Sequence, residues 1–139
     1  MNVFLIVAGV LNAFVALLHL GCIYFGAPWY RFFGAGEQMA TLAEQGSLRP
    51  TVITSIIVIL LSIWSLYAFS AAGVISRLPF LRLVLSLITL IYLVRGIAGL
   101  FLISSPMGRT PEFWLWSSII CLLFGIIHFI GVKQLWTSL

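Results

Sequence analysis

The sequence predicts an all-α, polytopic integral membrane protein. It reads as an up-down four-helix transmembrane bundle with a short helix or re-entrant lid in its first outer loop. Three observations carry this. Four apolar runs, at about 2–24, 51–72, 80–104 and 113–136, each reach the ~20 residues an α-helix needs to cross ~30 Å of hydrocarbon. Of 139 residues, 63% are hydrophobic and only 7% charged, with a mean hydropathy of +1.22. Backbone groups in lipid must be paired internally, so runs of this length are helices, and the ~10-residue alternating strands of a membrane barrel are absent. The whole chain, 1–139, is then a single transmembrane domain.

The first run lacks Lys or Arg before it and has no clean small-x-small cleavage site, so a retained helix is expected rather than a signal peptide. Gly26-Ala27-Pro28 ends it and opens the outer loop, 25–50. There Trp29, Tyr30, Phe32 and Phe33 crowd around Arg31, a composition suited to the headgroup region. Gly34-Ala35-Gly36 is flexible, and Glu37 to Gln45 suits a short helix. Glu37 sits favourably at its positive end, Gly46 at its C′ position, and Met39, Leu42 and Ala43 share its apolar side. The tight connection Gly73–Pro79 makes the second and third helices an antiparallel hairpin, with Pro79 at a helix start. Pro106 and Gly108 form the third turn, and Pro111 opens the fourth helix. Trp114 and Trp116 mark one interface and Trp136 the other. Short loops favour the up-down arrangement, and the lack of an internal repeat disfavours an inverted-repeat transporter.

A net charge of +4 does not indicate nucleic acid, because the basic residues are scattered and form no patch interleaved with aromatics. Their placement speaks to topology. Arg77, Arg82 and Lys133 fall on one side, whereas Arg31, Arg49 and Arg109 are balanced by Glu37, Glu44 and Glu112 on the other. By the positive-inside rule both termini are cytoplasmic in a multi-pass membrane protein. Cys22 and Cys121 form no CxxC, and counted depths differ by roughly 10 Å, so free, buried thiols are expected rather than a disulfide.

Each run carries a face of polar and small residues. Asn12, His19 and Cys22 share one third of the first helix, with Gly9 and Ala13 beside them. Ser86, Thr89, Tyr92 and Arg95 recur at spacing three on the third, and Ser117, Cys121, Gly125 and His128 line the fourth. Ionisable groups in hydrocarbon are costly and usually face a bundle interior. Three are present, His19, Arg95 and His128. A haem between the histidines is disfavoured, since counting separates them by roughly 15 Å along the membrane normal. No span carries a carboxylate to complete a zinc or di-iron set, so neither metal nor cofactor is expected. Arg95 lies ~13 Å below its helix end and has no acidic residue in any span. Its expected counter-charge is Glu37 or Glu112 dipping from the loops, or an anionic ligand. The candidate ligand-binding residues are therefore Arg95, His19, Tyr92 and Asn12, covered by Trp29, Arg31 and Glu37.

The stretch Gly26-Ala27-Pro28-Trp29-Tyr30-Arg31-Phe32-Phe33-Gly34-Ala35-Gly36-Glu37, with Tyr92-Leu93-Val94-Arg95-Gly96, resembles small, uncharacterised bacterial four-span inner-membrane proteins through the first three helices. The layout is also similar to that of DoxX-like proteins. The resemblance implies the four-span fold and a place in a bacterial inner (cytoplasmic) membrane, and no activity. The leading expectation is a protein that binds or transports a small amphiphilic or anionic, lipid-like ligand from the outer leaflet. It would work among membrane lipids as a homo-oligomer, with Gly9, Ala13, Gly96 and Gly99 available for protomer contacts. One alternative is a non-catalytic subunit or assembly factor of a larger membrane complex. Another is an intramembrane enzyme using His19, for which no nucleophile or metal set is present. No catalytic residue is assigned.

Overall fold

The computed structural model describes residues 2–105 and 109–139, and among them the secondary structure is helical. Helix α1 spans Val3–Phe25 and is capped by Asn2, whose Oδ1 accepts the Leu5 N–H at 3.0 Å. It stops at Gly26, where φ 77° with ψ −139° is a conformation essentially confined to glycine. That bend leads directly into α2, Ala27–Phe32, with Pro28 in its first turn. The sequence pointed to an aromatic anchor there and not to a helix. Six residues are too few for hydrophobic periodicity to declare itself.

The expected loop helix is α3, Glu37–Glu44, ending in a Schellman motif. Gly46 takes the left-handed φ of 76°, the Ser47 N–H bonds Leu42 O at 3.0 Å and the Gly46 N–H bonds Ala43 O at 3.1 Å. Its fully buried residue is Ala40, with Met39 and Ala43 packed beside it. Tyr30 of α2 is buried against the same cluster, with Cys22 and Ala27, and its hydroxyl bonds Thr54 Oγ1 at 3.0 Å. The loop thus folds down onto the helix ends as a lid.

Helix α4 covers Arg49–Ala72 and begins two residues before the apolar run, because Pro50 is well suited to a first turn. The connection after it is stapled by Ser70, whose Oγ donates to Ser76 O and accepts from the Leu78 N–H, both at 2.9 Å. Helix α5, Leu81–Phe101, starts beyond Pro79, since Phe80 sits in the left-handed region at φ 56° and breaks the helical path. A 3-10 turn, Leu102–Ser104, extends it. Pro106 and Gly108 lie outside the described residues. Helix α6, Pro111–Leu135, is N-capped by Thr110, whose Oγ1 accepts the Phe113 N–H at 3.1 Å. A 3-10 turn, Trp136–Ser138, finishes it.

Counting their 3-10 extensions, α1, α4, α5 and α6 are each long and apolar enough to cross a membrane. They form a ring in which neighbours run antiparallel. Tyr92 of α5 meets Trp64 of α4, and Tyr67 reaches back to Pro79. Gly96 meets Leu122 and Gly125 meets Leu93 between α5 and α6. Leu5 meets Gly131, and Asn12 meets His128, between α1 and α6. The packing is uneven. The pairs α1–α4 and α5–α6 are in extensive contact, whereas the sequential hairpin α4–α5 touches sparsely. Side-chain size explains this. Glycines let backbones approach at the first two seams, while the edge-to-face rings of Trp64 and Tyr92, 5.2 Å apart, hold α4 and α5 apart.

The same observations reassign the small residues. Gly9, Gly96 and Gly99, which the sequence offers for contacts between protomers, face Phe69, Leu122 and Ser118 within the chain. The outward faces carry large apolar residues such as Phe14, Leu17, Ile56, Val94 and Leu123, as a lipid-facing surface requires. Both chain ends and the α4–α5 turn share one end of the bundle. There the Asn2 amide donates to Gln134 Oε1 at 2.8 Å, and Arg77 donates to Ser138 O at 3.0 Å. We call this the terminal end, and the lid marks the loop end.

Candidate functional site

The predicted site residues separate into three groups. The first is a hydrogen-bonded chain in the middle of the bundle. The Tyr92 hydroxyl on α5 donates to Asn12 Oδ1 on α1, and the Asn12 amide meets His128 Nε2 on α6 at 3.1 Å. His128 Nδ1 lies 2.7 Å from Phe124 O, one turn back on its own helix. A carbonyl can only accept, so the network assigns the proton to Nδ1 and leaves Nε2 to accept from Asn12. Asn12 and His128 are fully buried, and Trp64 and Phe124 flank Tyr92 edge-on. Three helices are tied at one level by side chains whose polar atoms are satisfied by one another. Asn12 and Tyr92 were expected together, but His128, although read onto the polar face of its helix, was set apart by a depth count that put it roughly 15 Å from His19.

The second group surrounds Arg95, one turn nearer the loop end. Its Nη2 donates to Ser117 Oγ at 3.1 Å, and its guanidinium lies 5.0 Å from the centroid of the buried Trp114 ring. Among the described residues its Nη1 is buried without a hydrogen-bond partner, and so is Oγ of the fully buried Ser118. The two atoms approach the same point. A Cβ on Gly99 would stand 2.0 Å from Ser118 Oγ and 2.5 Å from Arg95 Nη1, so only glycine leaves the room they occupy. Arg109 adds a second cation, 5.5 Å from the Trp114 centroid and 5.0 Å from that of Phe113. Its Nε donates to Ala35 O in the lid at 3.3 Å. Burial, and then the positive charge of Arg95, push the Arg109 pKa below its ordinary value.

The third group is the lid's own charge cluster, and it redirects the expected counter-charge. Glu37 pairs with Arg31, at 2.7 Å from Nη2 to Oε1 and with Nε also donating, and Glu44 takes Arg31 Nη1. The hydrogen bond from Arg31 pulls the Glu37 carboxyl below its usual range, and the two carboxylates raise the Arg31 pKa. Two of the three carboxylates in the chain are therefore held by one guanidinium, six and thirteen residues away. Closing that short loop is cheaper than carrying Glu37 down to Arg95. Among the described residues no carboxylate comes within 4.0 Å of Arg95 or Arg109, so neither Glu37 nor Glu112 neutralises Arg95.

His19 and Trp29 stand apart from all three. His19 Nδ1 bonds Val15 O at 2.8 Å on its own helix. Asn12 is level with His128 and precedes His19 by seven residues on α1, so the histidines are ~10 Å apart along the axis. Trp29 stacks on Phe25 with centroids 4.7 Å apart and fills the space over Gly21, where it seats α2. Cys22 and Cys121 are free thiols. Sequence reasoning missed Arg109, Trp114 and Ser118 as neighbours of Arg95. Ser117 and Ser118 point to different faces of one helix, and nothing in the pattern announces that the Gly99 gap brings both within reach. No protein-family model matches this chain, and no curated protein or solved structure is significantly similar to it.

Proposed function

We propose that this chain binds a small anionic amphiphile, with the acidic headgroup held by Arg95 at the loop end of the bundle. The observation that carries this is the buried, unpartnered Nη1 of Arg95 facing the equally unpartnered Ser118 Oγ across Gly99. Both atoms are closed off from the surface here, so an ionised headgroup would part the Arg95 side chain from Gly99 before one of its oxygens accepted from them. A guanidinium offers five N–H donors in a planar fork suited to phosphate or carboxylate. Arg109 strengthens the positive field, and the lid's carboxylates are held away by Arg31. A fixed cation in hydrocarbon costs ~2.5–3.5 kcal/mol on insertion scales, which a bound anion offsets. Arg95 is only partly buried, so a headgroup can reach it from the lipid side while its chain stays among the apolar outer faces. With the positive-inside rule placing Arg77, Arg82 and Lys133 in the cytoplasm, that side is the outer leaflet of a bacterial inner membrane.

The test uses dihexanoylphosphatidic acid and dihexanoylphosphatidylcholine as soluble probes, with binding read by thermal shift of the purified protein. Wild type binds the phosphatidic acid and not the choline lipid. Arg95→Lys keeps the charge but loses the fork, and weakens binding about tenfold or more. Arg95→Leu abolishes it while folding as well as wild type or better, since an apolar replacement for a buried charge is often neutral or stabilising. Unchanged phosphatidic acid affinity in a folded Arg95→Leu protein would overturn the proposal and leave Arg95 a snorkelling anchor.

A further inference from the structure

At the opposite, terminal end the ring opens into a groove between α5 and α6. One cavity of about 680 Å³ is lined by Arg77, Phe80, Arg82, Ser86 and Trp136. A second of about 660 Å³ is lined by Leu90, Leu93, Phe129 and Lys133. Ser86 and Trp136 line both, so the two adjoin along a shared wall. From Arg82 to Leu93 the groove descends ~16 Å along α5. It is basic at its mouth and apolar along its length, which is the profile of a phospholipid. The apolar stretch is not covered by the protein, for Leu90 is 56% exposed and Phe129 52%.

The mouth is built rather than incidental. Arg82 stacks over Trp136, 4.6 Å from its centroid, and its Nη2 donates to Trp136 O at 2.7 Å. Arg77 holds Ser138 O through Nη1. Each contact uses one N–H of a guanidinium that has five, so both cations are fixed in position with donors to spare. All three carboxylate side chains of the protein lie at the far, loop end, on or beside the lid and the start of α6. No acidic side chain therefore faces this mouth, and its positive charge favours an anion.

We infer that this groove holds an anionic glycerophospholipid, its phosphate bound by Arg82, Arg77 and Lys133 and one acyl chain laid along Leu90, Leu93 and Phe129. This site is separate from the Arg95 site and does not depend on it. Near a membrane surface each Lys or Arg contributes roughly fivefold to the affinity for anionic lipid, so two cations account for roughly 30-fold.

The experiment is native mass spectrometry of the protein released from nanodiscs of phosphatidylcholine containing a minority of phosphatidylglycerol. Every protein, the one with the unaltered groove (wild type here) included, carries Arg95→Leu so that the loop-end site adds no lipid. Wild type retains phosphatidylglycerol well above its share of the nanodisc. The double variant Arg82→Gln/Lys133→Gln falls back by roughly 30-fold. Ser86→Trp, which fills the shared wall and leaves the cations in place, also loses the retained lipid. Arg49→Gln, which removes a cation from the loop end, retains as much as wild type. Three results would each overturn the assignment. They are equal retention of phosphatidylcholine by wild type, undiminished phosphatidylglycerol in Ser86→Trp, or a loss in Arg49→Gln as large as in the double variant. Should the double variant not fold, Ser86→Trp and Arg49→Gln decide the matter.

Discussion

Replacing Asn12 by Leu tests whether the mid-bundle chain holds the helices together. The two side chains are similar in size, so no large cavity opens, and the change falls on hydrogen bonds. Asn12 makes two between helices, one from Tyr92 and one to His128. In membrane proteins each such bond contributes ~0.6 kcal/mol on average and ~1.7 kcal/mol at most, because unfolded helices in lipid find other partners. Losing both costs ~1–3.5 kcal/mol on that scale. Tyr92→Phe removes a single bond at constant shape and costs ~0.6–1.7 kcal/mol. The two losses share one contact, so they do not add. In the Asn12→Leu background the Tyr92 hydroxyl is already stranded, and Tyr92→Phe becomes neutral or stabilising. Reversible unfolding in mixed micelles, followed by the environment of the buried Trp64, supplies the double-mutant cycle. If Tyr92→Phe costs the same in both backgrounds, to within ~0.5 kcal/mol, the chain of bonds carries no coupled energy and the argument fails.

Three further outcomes are expected. Glu37 is held below the ordinary glutamate value by Arg31, so its contribution to lid docking is fully present above that value, ~4.3, and is lost as pH falls through its depressed folded value. Hydrogen exchange of residues 27–45 should be pH-independent near neutrality, after correction for intrinsic rates, and accelerate in acid. Glu37→Gln should largely flatten the acid response, and an unaltered response in that variant refutes the assignment. Gly99→Ala drives a methyl group against Ser118 Oγ and Arg95 Nη1 and should cost ~1–3 kcal/mol by overpacking. It should also weaken phosphatidic acid binding, whereas a normal melting temperature with normal binding contradicts the geometry. Gly46→Ala meets no atom within 4 Å, so its cost of ~1–2 kcal/mol is purely that of a left-handed backbone. It should loosen α3 in hydrogen exchange without lowering the global melting temperature.

The membrane spans were legible because twenty apolar residues in a row admit few alternatives, and α3 because Glu37 and Gly46 announce both its ends. Helix α2 was not, since proline and glycine mark where a helix stops more clearly than they mark where another six-residue one begins. Depth along each helix could be counted, which put Arg95 in the half nearer the loops. Azimuth could not. Whether Asn12 reaches His128 depends on how close the backbones come, and that is set on three seams, by Gly9, by Gly96 with Gly125, and by Gly131. The partner of Glu37 was misjudged for a different reason. A count of charges shows which are scarce, but only loop geometry shows that Arg31 reaches two of them first.

The sparse seam between α4 and α5 divides the molecule into successive halves. The first, α1 with α4 and the lid, is complete when the ribosome has made little more than half of the chain, and the second, α5 with α6, closes on itself afterwards. Each half contains its own close helix pairing, so the peptide link across Gly73–Pro79 does little beyond keeping the halves at high effective concentration. Two separately translated polypeptides divided in that turn should find each other in the bilayer. The tripartite bond of Asn12, Tyr92 and His128 would then serve as the latch between them.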